Sequence, residues 1–282
     1  NFDIAAPEGG VHKKFSKTDA VSTASVLNLI NKSDAYKEIW LTETNPEEII
    51  SKVEKLRFTK YQLIGSDSVY KPTPSEVAAL SFYKNNISHI FMLYSLICES
   101  VRYVEKISKE DLYSLIEMIY PIISREYFLQ SSHIEKKEID NSLKTLLEEG
   151  VLTSKEPESY SKRSRNDNHF NKYLSLCNIC EPSVKRFYIA MSVLWSRDNI
   201  SKEKLQTDCD SIAKELERLE GWPYPEFSDK TKFNNFIELL VTERYIKADK
   251  ELLSASKITL KAQDSYKVFF DNRFLELIQN IN

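Results

Sequence analysis

Glycine is scarce: five occur in 282 residues. That argues against nucleotide-binding folds built on Gly-rich phosphate loops and against sheet-rich folds with many tight turns. Histidine is just as thin, with His12, His89, His133 and His169 the full set. Because histidine is the commonest acid–base side chain, few positions are left for proton-transfer chemistry. The sequence contains no G-x-S-x-G, H-E-x-x-H or phosphate-loop lysine motif. It has no basic excess either: 39 basic residues stand against 42 acidic, a net charge of −3. Nucleic-acid binders usually carry a marked positive surplus, so no nucleic-acid partner is expected.

No apolar run reaches the roughly 20 residues a membrane-spanning helix needs. The longest candidate, Ile87 to Ile97, contains His89. The N-terminus lacks the basic-then-apolar layout of a secretory signal. The four cysteines, Cys98, Cys177, Cys180 and Cys209, form no disulfide framework, which fits a reducing, cytoplasmic setting. Cys177 and Cys180 make a C-x-x-C, but no second pair exists to complete a zinc site. They lie among Leu174, Leu176 and Ile179, so they read as core residues, and no metal or cofactor is expected.

What is present is helix. Hydrophobic residues make up 41% and charged residues 29%, enough apolar material for a core and too much for disorder. Asn45-Pro46-Glu47-Glu48 and Thr73-Pro74-Ser75-Glu76 each offer a capping side chain, proline at the first helical position and glutamate at the third. The second start predicts a long helix to about Val104. Further helices are predicted from Asp19 to Ile30, Ser108 to Phe128, Ile134 to Glu148, Phe170 to Ser196, Ser201 to Leu219, Lys230 to Thr242 and Ile258 to Ile281. Pro121 and Pro182 should kink or interrupt theirs. Leu205, Cys209, Ile212, Leu216 and Leu219 give Ser201 to Leu219 one clean apolar stripe. Gly150 stops one helix and Gly221 another. Val151-Leu152-Thr153 and Tyr245-Ile246 follow their helices as short strands, the way winged-helix modules end, a fold-level likeness only. The expected fold is a mainly α, multi-helix orthogonal bundle with small winged-helix-like β elements. The expected layout is a loose segment over 1–17, a helical lobe over 18–153, a polar linker over 154–169 and a second lobe over 170–282.

Acyl transfer from a thioester to a hydroxyl can use H-x-x-x-x-D, with histidine as general base and aspartate orienting it. Lys17, Tyr94, Glu138 and Leu174 occupy the fifth positions after the four histidines. Only His133 with Glu138 comes close, at a predicted helix start where capping explains it as well. No catalytic residue is assigned. The tract Phe82-Tyr83-Lys84-Asn85-Asn86-Ile87-Ser88-His89 is unusual in placing adjacent asparagines, mediocre helix formers, inside a predicted helix. It reads either as a plain exposed face or as a polar contact with a neighbouring domain.

Tyr83-Lys84-Asn85-Asn86-Ile87-Ser88-His89-Ile90-Phe91 resembles the Y-R-N-N-I-x-H-L-F signature of PlsB-type glycerol-3-phosphate acyltransferases, with lysine in place of the usual arginine. Met118 to Leu129 is similar to that family's L-Y-P-x-L-K-A-E-L-F-L block, Val184 to Ala190 to its L-Q-R-Y-A-I, and Leu216 to Lys230 to its R-L-S-x-L-H-G-I-N-A-P-E-F-F-D-K. The blocks keep the family's order across about Asn45 to Asp249. The family's H-x-x-x-x-D is missing. Pro7-Glu8-Gly9-Gly10 lacks the arginine of the E-G-G-x-S-R block and stands too near the later blocks, so nothing is carried over from it.

The resemblance implies the C-terminal accessory region of an enzyme that moves a fatty acyl group from acyl-CoA or acyl-ACP to the 1-hydroxyl of sn-glycerol 3-phosphate, in phospholipid synthesis. It implies a catalytic acyltransferase domain as partner, in the same or a separate chain, and peripheral attachment of the whole enzyme at the cytoplasmic face of a membrane. Tyr83, Lys84, Asn85, Asn86 and His89 are the candidate contact residues. The rival readings are a stand-alone helical adaptor, a winged-helix nucleic-acid binder, and an independent acyltransferase using His133 and Glu138.

Overall fold

The computed structural model describes residues 15–16, 24–32, 45–55, 61–64, 67–70, 82, 84–197, 199–220, 227–228 and 230–281. Among these, helices dominate and the strands form three small antiparallel sheets. Among the described residues all three sheets follow one plan: a two-residue strand, helical elements, then a hairpin whose last strand takes the central place in the sheet. The first unit is β1 (Phe15–Ser16), a 3-10 helix (Ser25–Lys32), α1 (Pro46–Lys55), β2 (Tyr61–Ile64) and β3 (Asp67–Tyr70), with strand order β1-β3-β2. After α2 (Met92–Ser100), the second is β4 (Ile107–Ser108), α3 (Lys109–Glu126), α4 (Lys136–Glu148), β5 (Leu152–Glu156) and β6 (Ser159–Lys162), with order β4-β6-β5. After α5 (Phe170–Trp195), the third is β7 (Ile200–Ser201), α6 (Lys202–Glu220), α7 (Lys230–Thr242), β8 (Ile246–Asp249) and β9 (Leu252–Ala255), with order β7-β9-β8. Among the described residues, each unit has the strand–helix–helix–hairpin order of a winged helix.

The last two units share local chemistry as well. Each opens on Ile-Ser-Lys-Glu, at Ile107 and at Ile200. Ser108 Oγ accepts the Asp111 N–H at 3.1 Å, and Ser201 Oγ accepts the Lys204 N–H at 3.2 Å, so one hydroxyl caps each helix start. Ile107 pairs with Tyr160 and Ile200 with Leu253 across equivalent ladders. The helices before the hairpins also end alike. Val151 N–H donates to Leu146 O at 2.8 Å and Tyr245 N–H to Leu240 O at 2.9 Å, with the residues between, Gly150 and Arg244, at φ 67° and 63°. Glycine reaches that left-handed geometry freely, whereas other residues pay about 1–2 kcal/mol for it.

α5 is the axis of the molecule. α2 packs along it, and α8 (Lys257–Tyr266) and α9 (Asn272–Ile281) close its far end through an aromatic cluster. Phe187 meets Tyr266 at 4.7 Å between ring centroids, and Tyr188 meets Phe270 at 4.5 Å. One buried core runs from Val26 to Ile278. The polar stretch 154–169 forms the outer part of the β5–β6 hairpin and the turn into α5, and the core continues on both sides of it.

Three expectations change. α3 continues through Pro121 and α5 through Pro182, so neither proline breaks its helix. Both prolines sit among buried neighbours (Ile119, Ile122 and Ile123; Cys180, Ser183 and Val184), and that packing outweighs one lost backbone bond. The stretch Ile258 to Ile281 is two helices. Phe270 is extended, and Asp271 Oδ1 accepts the Phe274 N–H at 2.7 Å to start the second. The helix expected to reach Val104 passes through a 3-10 turn at His89–Phe91 and stops at Ser100. The predicted start at Thr73 and the predicted helix stop at Gly221 lie outside the described residues.

Candidate functional site

The asparagine tract lies at a boundary between solvent and core. Residues 84–88 are helical; Asn85, Asn86 and Ile87 are exposed, His89 is half-buried, and Ser88 is buried with its hydroxyl donating to Lys84 O at 2.8 Å. Helical spacing puts Phe82, Asn85, Asn86 and His89 along one side. Phe82 is exposed too, while the Tyr83 side chain falls outside the described residues. Immediately downstream Ile90, Phe91 and Met92 enter the core. The tract is thus an outward amide face held by an apolar anchor.

The other blocks converge through α5. Arg186, from the fifth turn of α5, pairs with Glu126 at the end of α3, the two carrying the R and E of two different family blocks. Next to them, Tyr127 Oη and Ser183 Oγ lie 3.0 Å apart. Tyr127 is half-buried against the core and its hydroxyl is pushed well above the usual range by desolvation, so it stays neutral. The chain then turns at Phe128, in the left-handed region at φ 54° with its side chain 92% exposed. In the last block Phe227 is buried, and Ser228 donates N–H to Glu217 Oε1 at 3.0 Å and its hydroxyl to Glu217 Oε2 at 2.7 Å, fastening the segment to α6.

Sequence reasoning missed two features. One is a buried charge network between α2 and α5. Arg102 Nη1 lies 3.1 Å from Glu99 Oε2 and 3.2 Å from Glu181 Oε2, and Lys185 Nζ donates to Glu181 Oε1 at 2.6 Å. Burial raises the Glu99 carboxyl to about 7, only partly offset by Arg102. Burial acts on Glu181 too, but Lys185 and Arg102 outweigh it and hold that carboxyl at about 2. The available signal was acid and base at helical spacing inside otherwise apolar helices. The other is Phe128, whose signal was a helix ending without the usual glycine.

The remaining candidates are structural. Cys98, Cys177, Cys180 and Cys209 are buried free thiols, and burial pushes each upward. A thiol that stays protonated is a poor nucleophile and a poor metal ligand. Glu138 turns back to accept the Glu135 N–H at 3.0 Å in a capping box, while the His133 N–H bonds Ser131 Oγ at 3.1 Å, so helix capping accounts for that pair. Among the described residues no group of three His, Cys, Asp or Glu side chains could hold a metal ion, and no helix is long and apolar enough to cross a membrane. The clefts are shallow: one of about 410 Å³ is lined by Lys109, Asp140, Lys144 and Tyr160, where Lys109 Nζ and Asp140 Oδ1 pair at 2.9 Å.

Residues 20–249 match the family described as the glycerol-3-phosphate acyltransferase C-terminal region. Curated relatives agree. The glycerol-3-phosphate acyltransferase of Pseudomonas putida (strain W619) is 27% identical over 226 residues, covering 79% of this chain and 27% of that protein. That of Alteromonas mediterranea is 25% identical over 249 residues, covering 84% and 30%. That of Pseudomonas putida (strain GB-1) is 31% identical over 173 residues, covering 60% and 21%. The chain therefore spans less than a third of the length of these relatives.

Proposed function

The chain belongs to the glycerol-3-phosphate acyltransferase C-terminal region family, and on that premise we propose that it is the accessory part of such an enzyme, docking on and bracing a catalytic acyltransferase domain. The whole enzyme would transfer an acyl group from acyl-CoA or acyl-ACP to the 1-hydroxyl of sn-glycerol 3-phosphate for phospholipid synthesis, at the cytoplasmic surface of a membrane. The catalytic histidine and aspartate would come from the catalytic domain, supplied in the same or a separate chain.

One observation carries the reading. The Asn85-Asn86-Ile87 face is turned to solvent while the Ile90-Phe91 half of the same block is locked in the core. A helix that exposes amides and an isoleucine on a rigid base offers hydrogen-bonding groups to a partner surface at little ordering cost. Tyr83, Lys84, Asn85, Asn86 and His89 are the proposed contact residues.

The nucleic-acid reading gains no support from charge. The exposed side of α4 mixes Lys136, Lys137 and Lys144 with Asp140 and Glu148, and the β5–β6 hairpin carries Glu156 and Glu158.

Acyl transfer to glycerol 3-phosphate should be measured with a catalytic acyltransferase domain, with this chain, and with both. The chain alone should be inactive, and its addition should raise the domain's activity or stability. Transfer by the chain alone, or indifference of the domain to it, would overturn the reading.

A further inference from the structure

Three helices end in one geometry. At the close of α3 the Phe128 N–H donates to Arg125 O at 3.4 Å and the Leu129 N–H to Ser124 O at 2.7 Å. α4 repeats this with Gly150 and Val151, and α7 with Arg244 and Tyr245. The residue at the turn has φ of 54°, 67° and 63° respectively. Glycine suits the position because it has no Cβ, and arginine there keeps its charged end in water. Phenylalanine meets both costs at once, a strained backbone and an aromatic ring in solvent. Among the exposed large hydrophobic side chains of the described residues it is the most exposed, at 92%.

The ring stands on a rigid mount. Glu126, two residues before, is paired with Arg186; Tyr127, one before, is hydrogen-bonded to Ser183; Leu129, one after, packs against the core. The backbone at Phe128 is pinned on both sides. Strain kept at a bulky residue whose surroundings over-determine it is a mark of a functional position. The rim is polar. Arg125 pairs with Glu243 at 3.0 Å, and Gln130 and Ser131 follow, both exposed. A preorganised aromatic inside a polar, charge-balanced rim has the make-up of a protein–protein hot spot. A lipid-binding face would present a wider apolar stripe with a basic border.

We propose that Phe128 is the aromatic anchor by which this domain binds the acyltransferase portion of the enzyme, its ring filling an apolar pocket on that partner. This rests on the function proposed above. The occupant is the large part of the enzyme that the curated relatives carry beyond the 21–30% of their length matched here. The contact is separate in sequence from the asparagine face, so the two are separable in experiment.

The test uses this chain, its Phe128→Gly and Phe128→Tyr variants, and an acyltransferase domain from the same source supplied as a separate polypeptide. Affinity is read by titration calorimetry and folding by thermal unfolding. Phe128→Gly should unfold at the same or a higher temperature than the parent and bind about tenfold more weakly or worse, while Phe128→Tyr binds like the parent. Equal binding by the parent and Phe128→Gly would overturn the anchor while leaving the accessory role standing. A lower unfolding temperature for Phe128→Gly would overturn it by showing that the ring supports the fold. No binding by the parent would remove both readings. Binding to phosphatidylglycerol vesicles that is lost in Phe128→Gly, with protein affinity unchanged, would assign the ring to the bilayer and also overturn it.

Discussion

Ser95 of α2 inserts its hydroxyl into the backbone ladder of α5: Oγ accepts the Cys180 N–H at 3.0 Å and donates to Leu176 O at 2.6 Å. Those backbone groups are four residues apart, the spacing of a helical backbone bond, so one side chain from the neighbouring helix bridges the ladder of α5. Ser95 is fully buried, and no water is needed to satisfy it. Ser95→Ala should cost roughly 1–3 kcal/mol in urea unfolding, because two backbone groups lose their bridge. Ser95→Val should cost more, because it fills the same site without any hydrogen bond. A neutral Ser95→Val would show that the bridge is not required.

The Glu126–Arg186 pair gives a second test. Removing the acid leaves a buried guanidinium with less compensation, so Glu126→Ala should destabilise by roughly 3 kcal/mol. Replacing both residues by methionine should cost much less than the two single methionine replacements together. Strict additivity in that double-mutant cycle would mean the two side chains act independently.

Stability should also depend on pH through the network at Arg102. Glu99 binds its proton more tightly folded than unfolded, since burial raises it from 4.5 to about 7. Its contribution is full below pH 4.5 and is lost as pH rises toward 7, a fall on the order of 1–3 kcal/mol. Glu181 acts oppositely: held at about 2, it supports the fold above 4.5 and loses that support as pH falls toward 2. Urea midpoints measured across this range should pass through a maximum near the ordinary carboxyl value. Glu99→Gln should flatten the upper limb and leave the lower one; an unchanged upper limb would refute the assignment.

At the asparagine face, Asn85→Ala combined with Asn86→Ala should alter the unfolding free energy of the chain by no more than about 0.5–1 kcal/mol, as expected for exposed positions. The same pair should weaken association with an acyltransferase domain. Unfolding of the variant, or undiminished binding by it, would exclude the face as a contact.

Much of the helical architecture is legible in the sequence, because capping and periodicity act locally. α7 spans Lys230–Thr242 as its pattern predicts, and the Asn45 side chain accepts the Glu47 and Glu48 N–H groups at 2.9 and 3.3 Å, as its motif implies. Pro182 misleads because the decisive contacts, such as that from Ser95, come from distant sequence. The split at Asp271 was readable as a cap but is masked by apolar residues on both sides. The recurrence of Ile-Ser-Lys-Glu was also readable, though its spacing lies far beyond the short periods that mark solenoids. The tract at Asn85 stands out because its residue types fit a helix interior poorly. Phe128 does not, because its strain exists only once the helix end is built.

The most direct test of the central claim is to precipitate the native protein from its source cells with an antibody raised against this chain and assay the precipitate for acyl transfer to glycerol 3-phosphate. The account predicts activity in the precipitate, carried either by one polypeptide much heavier than 32.8 kDa or by a separate acyltransferase bound to the chain. A precipitate holding only a 32.8 kDa chain and no acyltransferase activity would contradict it and favour a free-standing adaptor.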